Sequence, residues 1–128
     1  MTDGRRILLA EDDRFLRKAA EAALRQHGYS VVIAVDGEDA LHRARTERPD
    51  LILLDLIMPK LQGFEVLHAL KADSATATIP VVVLSNLGQD ADVQEALALG
   101  AAAYFVKANL SLHDLATRID ETLGAATR

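Results

Sequence analysis

Leu51-Ile52-Leu53-Leu54-Asp55 decides the fold. An unbroken apolar run of this kind is the mark of a strand buried on both faces, as in parallel sheets. The run ends on a carboxylate. Three others also end on polar side chains: Ile7-Leu8-Leu9-Ala10 leads into Glu11-Asp12-Asp13, Val81-Val82-Val83-Leu84 into Ser85, and Tyr104-Phe105-Val106 into Lys107. If these runs are parallel strands, their carboxyl ends lie along one edge, where open α/β sheets bind ligands, and the charges converge. Glu11, Asp12, Asp55, Ser85 and Lys107 then occupy spacings that one phosphoryl-transfer site needs.

Helical patterns fill the intervals. Residues 5–10 read as a buried strand and 14–27 as a helix with Leu16, Ala20, Ala23 and Leu24 on one face, stopped by Gly28 as a left-handed cap. Residues 31–34 make a second strand. Asp36-Gly37 punctuates, and a helix with Ala40, Leu41 and Ala44 runs to Glu47 before Pro49. The third strand, 51–54, is followed by a loop through Pro59 and Gly63 and a helix over 64–72 with Leu67 and Leu70 inward. Pro80 opens the fourth strand, Val93, Ala96 and Leu97 mark a fourth helix closed by Gly100, and 102–106 is the fifth strand. A last helix begins at the Ser111 and Asp114 capping pattern, with Leu112, Leu115, Ile119 and Leu123 on its buried stripe. Five βα units result, and right-handed crossovers leave several strand orders open.

Composition narrows the function. A chain of 128 residues, 50% of them hydrophobic, is expected to build one domain over 1–128. Nineteen acidic against 14 basic residues leave a net charge of -5, which opposes nonspecific attraction to nucleic acid or an anionic membrane, so no nucleic-acid contact and no membrane contact are expected. The absence of cysteine excludes disulfides and thiolate zinc sites. With no charged leader, and no run near the ~20 apolar residues of a membrane span, the expected compartment is cytoplasmic.

Each polar residue has a plain structural role available. Glu11, Asp12 and Asp13 suit a helix N-terminus, Asp55 and Ser85 suit turns, and Lys107 suits solvent. Three acids in a row exceed what a cap needs. Their repulsion at a strand end calls for a divalent cation or a lysine, which favours a hard-cation site of oxygen ligands. Met58-Pro59 and Gly63 read as loop punctuation, Gly63 at positive φ, and Tyr104 as a half-buried strand aromatic. His27, His42, His68 and His113 show no i,i+4 pairing and are not expected to bind metal.

The set Glu11-Asp12, Asp55 with Met58-Pro59 and Gly63 after it, Ser85, Tyr104 and Lys107 resembles the receiver domain of bacterial two-component response regulators, over essentially the whole chain. The resemblance implies a flavodoxin-like (βα)5 doubly wound parallel sheet of strand order 2-1-3-4-5. It implies Asp55 as phosphoacceptor from a sensor histidine kinase or histidine phosphotransfer protein. Mg²⁺ would be ligated by Asp12, Asp55 and the Ile57 backbone carbonyl, and by Glu11 through water. Lys107 would pair with a phosphoryl oxygen, and the Ser85 hydroxyl would donate to another. Drawing Ser85 inward would free space for the Tyr104 ring, changing the face of helix 4, strand 5 and helix 5 toward an unknown downstream protein. Such a chain is no enzyme beyond its own phosphorylation and dephosphorylation.

Two positions depart from the resembled pattern. Ala108 stands where a proline is usual, removing the main driving force for a cis bond after Lys107. Asn86 stands where a small residue is common, at the pocket mouth. Ile57 and Leu87 flank that mouth with apolar side chains where polar groups able to hold a hydrolytic water are frequent, so slow self-dephosphorylation is expected. Other classes fit less well. A flavin-binding flavodoxin needs a phosphate-cradling loop where this chain has three acids, and a haloacid dehalogenase phosphatase needs an Asp-x-Asp pattern after its first strand. The alternative is a phosphorylation-independent interaction module with a receiver fold, which typically loses the acceptor or a metal-binding acid.

Overall fold

Five short strands form one parallel sheet, and all of the site's chemistry hangs on its carboxyl edge. A computed structural model describes residues 5–58, 60, 62–86 and 89–126. In chain order the elements are β1 (Arg6–Ala10), α1 (Arg14–Gln26), β2 (Ser30–Ala34), α2 (Gly37–Glu47), β3 (Leu51–Leu54), α3 (Gly63–Ala72), β4 (Val81–Ser85), α4 (Asp90–Ala98), β5 (Ala103–Val106), a 3-10 turn (Lys107–Asn109) and α5 (Leu112–Ala126). The strand order is β2-β1-β3-β4-β5, the expected flavodoxin-like arrangement.

Alternating side chains of the sheet feed two cores. Leu8, Ala10, Ile52, Leu54, Val81 and Val83 pack under α2, α3 and α4. Ile7, Leu9, Leu51, Leu53, Val82 and Leu84 pack under α1 and α5 through Ala20, Leu24, Leu115 and Ile119. This two-sided burial is why β1, β3 and β4 read as continuous apolar runs.

Helix ends follow their sequence signals. Asp13 caps α1 by accepting from Leu16 N at 3.1 Å, Asp36 caps α2 by accepting from Asp39 N at 2.8 Å, and Ser111 Oγ accepts from Asp114 N at 3.1 Å. Gly28 follows α1 at φ 91, as expected of a left-handed cap.

One expectation needs correction, and further details extend the rest. Gly63 is the first residue of α3 and does not have positive φ; its glycine is required by close approach, since a Cβ there would lie 2.3 Å from Leu56 Cα and 2.8 Å from the Asp55 carbonyl oxygen. Among the described residues of this loop, Lys60 adopts positive φ, at 70°. In α4, Leu97 is 44% exposed, and the helix buries only Ala96 fully. Every described peptide bond is trans, including the one before Ala108, and the chain leaves β5 through the 3-10 turn.

Candidate phosphoryl-transfer site

The sheet register brings the acids together. Asp55 N donates to the Ala10 carbonyl at 3.0 Å, extending the β1–β3 ladder by one residue and setting Asp55 beside Glu11. Both are nearly buried, at 5% and 2% exposure, whereas Asp12 faces solvent. Carboxylate oxygens of Glu11, Asp12 and Asp55 all lie within 4.8 Å of one another. The acidic run of the sequence thus divides: Glu11 and Asp12 belong to this cluster, and Asp13 is the helix cap.

Lys107 joins the cluster from the edge of the sheet. β5 is separated from β3 by β4, a span of about 10 Å that the lysine and carboxylate side chains bridge between them. Its Nζ lies 2.9 Å from Glu11 Oε1 and 3.0 Å from Asp55 Oδ2. Burial pulls the Lys107 pKa down, but the hydrogen bonds and charges of Glu11 and Asp55 outweigh it and leave the ammonium above its ordinary value. Burial holds the Glu11 carboxyl above the usual range despite Lys107, with the charge of Asp55 adding to it. Three carboxylates therefore face one ammonium, leaving two negative charges when all are ionised. Hard oxygen donors at this spacing, short of two positive charges, suit a small divalent cation.

Neighbouring groups fix the geometry. Ile57 N donates to Asp55 Oδ1 at 3.1 Å, turning the carboxylate toward the loop, while the Ile57 side chain is 56% exposed at the rim. Asp13 N donates to Glu11 Oε2 at 3.1 Å. Gly63 N donates to the Leu56 carbonyl at 2.9 Å, closing the β3–α3 loop behind Asp55.

Ser85 and Tyr104 are coupled across two strands. Val83 pairs with Tyr104 in the β4–β5 register, so Ser85, two residues on, is its diagonal neighbour on the same face. Ser85 is fully buried, and the half-buried Tyr104 ring packs on the α2–α4 core. Burial raises the Tyr104 pKa, the charge of Asp92 adds to this, and a hydrogen bond with the Ser85 side chain opposes it. Asn86 is exposed, and Leu87 and Pro59 lie outside the described residues.

Two contributors were not anticipated. Arg17 Nη1 donates to the carbonyls of Glu11 and Asp12, both at 3.2 Å, pinning the β1–α1 loop. Its signal was an arginine one turn into the helix that follows the acids. Lys60 Nζ lies 3.6 Å from Asp36 Oδ2 and ties the β3–α3 loop to the start of α2. Nothing local links those two positions.

Comparisons with known proteins agree with this architecture. A family model for the response regulator receiver domain matches residues 7–120. The gliding motility regulatory protein of Myxococcus xanthus is 42% identical over 115 residues, which are 90% of this chain and 15% of that protein. A probable transcriptional regulator, ycf27, of Guillardia theta is 41% identical over 102 residues, 80% of this chain and 39% of that protein. The chain therefore spans less than half the length of either relative. Among solved structures, the receiver domain of the Francisella response regulator 1452 has 27% identity and a TM-score of 0.88, covering 95% of this chain and 98% of that one. With that match across the sheet, both helical layers and the acidic edge, this chain belongs to the response regulator receiver domain family.

Proposed function

We propose that the chain is a phosphorylation-activated signalling switch, with Asp55 accepting a phosphoryl group from a sensor histidine kinase or histidine phosphotransfer protein. The observation that carries this reading is the cluster of Glu11, Asp12 and Asp55 within 4.8 Å, held open by Lys107 at 2.9 and 3.0 Å from two of them.

Asp12 and Asp55, with the Ile57 carbonyl, would hold Mg²⁺ directly, and Glu11 would hold it through water. When bound, Mg²⁺ supplies neutralising charge to the phosphoryl oxygens. Asp55 Oδ2 attacks phosphorus as the bond to the donor's imidazole nitrogen breaks. Lys107, already at that oxygen, follows the charge onto a phosphoryl oxygen, and the Ser85 hydroxyl donates to another. Little covalent work falls to the protein, since a loose transition state asks mainly for position and charge.

The switch follows from the placement of Ser85 diagonally beside Tyr104 across β4 and β5. A serine recruited by the phosphoryl group leaves its tyrosine, and the ring repacks between α4 and β5. That alters the face of α4, β5 and α5 toward a downstream protein, a shift between two packings. The acidic net charge supports output through protein contact. Beyond its own phosphorylation and dephosphorylation the chain turns over no substrate. No helix among the described residues is long and apolar enough to cross a membrane, and we place the protein's work in the cytoplasm.

Incubation with acetyl phosphate and Mg²⁺, followed by intact mass, tests the reading. One phosphoryl group per chain is expected, lost in Asp55→Asn and in chelator; labelling that persists in either would overturn it. In the same assay the apolar rim predicts slow decay, accelerated about tenfold or more by Ile57→Asn if that side chain excludes water. Equal decay rates would remove Ile57 from that role.

A further inference from the structure

The face of the sheet that carries α2, α3 and α4 is unevenly covered. α2 and α3 pack against each other, whereas α3 and α4 stand apart with no comparable contact. The gap forms a groove of about 500 Å³ lined by Phe64, Glu65, His68 and Ala69 from α3 and by Glu95 and Leu99 from α4. Phe64 and Leu99 are partly buried members of the core beneath, so the floor is the edge of the core itself.

The lips of the groove carry two glutamates, and its lining includes one histidine, His68, but no lysine or arginine. Glu65 and Glu95 stand on opposite walls. α4 runs Asp90-Ala91-Asp92-Val93-Gln94-Glu95-Ala96-Leu97-Ala98, with three carboxylates and no lysine or arginine. The single lysine of α3, Lys71, has its Nζ committed to the carbonyls of Ala77 at 3.1 Å and Ile79 at 2.8 Å. Apolar floor and acidic rim together select a ligand that is apolar along one stripe and basic along its edges.

We propose that the α3–α4 groove is a docking site for a basic amphipathic helix of a partner protein, whose apolar side chains rest on Phe64, Ala69 and Leu99 and whose arginine or lysine side chains pair with Glu65 and Glu95. The groove lies on the opposite side of α4 from β5, so occupying it leaves the α4–β5–α5 face open. It is complete without phosphorylation and does not depend on Asp55 chemistry.

The probe is a fluorescein-labelled amphipathic helical peptide of leucine, alanine and arginine, with a counterpart in which every arginine is glutamate. Anisotropy should show binding of the basic peptide alone, and amide shifts should centre on residues 64–69 and 95–99. The double variant Glu65→Lys, Glu95→Lys should weaken binding about tenfold or more through loss of two charge pairs. Glu121→Lys, on α5, should change it little, and circular dichroism should confirm that both variants fold. No binding of the basic peptide, equal binding of the acidic one, shifts centred elsewhere, or indifference to the Glu65 and Glu95 reversal would each overturn the assignment. Acetyl phosphate labelling of the same variants keeps the two readings apart, because loss of Asp55 labelling would bear only on the switch.

Discussion

The centre of the sheet and its β5 edge are built to different standards. Every residue of β3 and β4 is buried, and β1 is buried from Ile7 onward. No residue of β5 is, and α4 beside it fully buries one side chain, Ala96. Glu11 and Asp55 stand on the first region, while Lys107 and Tyr104 belong to the second. A close-packed core resists graded deformation, so the acids are held at fixed spacing by β1 and β3. A strand and helix with few buried contacts open and repack at lower free energy. In the proposed switch, Asp55 on the stiff region and Tyr104 on the loose one would let a local change in charge be read as a change of packing.

The contrast can be broken first at the glycines. Gly63→Ala drives a Cβ into the Leu56 backbone at 2.3 Å, directly behind Asp55, whereas a Cβ at Gly124 in α5 meets nothing within 4 Å among the described residues. The first change should cost about 4 kcal/mol or more, and the second should stabilise by up to about 1 kcal/mol through helix propensity. Urea unfolding checks both. Equal small effects would mean that the β3–α3 loop is not tightly held.

Leucine truncation sharpens the comparison next. Leu53→Ala, in a site 1% exposed, should destabilise by about 2–5 kcal/mol, and Leu97→Ala, 44% exposed on α4, by about 0.5 kcal/mol or less. A large loss at Leu97 would show that α4 is anchored in a way its burial does not reveal.

Lys107 joins the two regions, so its removal is informative about both. Lys107→Ala leaves Glu11 and Asp55 buried without their shared ammonium, and breaking such a pair should cost about 3 kcal/mol in metal-free buffer. Mg²⁺ should restore more stability to the variant than to the parent. A variant as stable as the parent in chelator would mean that the acids are neutral without their lysine.

The smallest effect lies in the tether between loops. The Asp36 carboxyl is held below its ordinary 3.8, first by the Asp39 backbone N–H, which with Lys60 outweighs the opposing effect of burial. A lowered folded pKa contributes stability that is present above the unfolded value and lost as pH falls through the folded one. Asp36→Asn should therefore flatten the stability profile below about pH 4 and leave the neutral region to the capping change alone. An unchanged acid limb would show that the carboxylate is not preferentially stabilised in the fold.

How much of this was legible in the sequence follows the same division. Three buried runs, β1, β3 and β4, announced the sheet because two-sided burial removes the alternation that would blur them, and the polar residue ending each run marked the site. α4 was legible as a helix, but not the division of its face, in which Ala96 is fully buried and Leu97 is 44% exposed. Gly63 was read as a matter of dihedral angle when it is a matter of space, since close approach of two backbones leaves no local trace. The hydrogen bond from the Tyr29 hydroxyl to Asp120, like the Lys60–Asp36 pair, joins segments whose proximity only the strand order creates. Strand order itself came through resemblance, because hydrophobic periodicity does not distinguish one right-handed arrangement from another.

Amide hydrogen exchange, compared between the free protein and its beryllofluoride complex in Mg²⁺, tests the division of labour most directly. The account predicts that amides of residues 7–10 and 51–55 stay strongly protected in both states, while protection changes across residues 90–106. Changes confined to the loops around Asp55, with 90–106 unmoved, would contradict it.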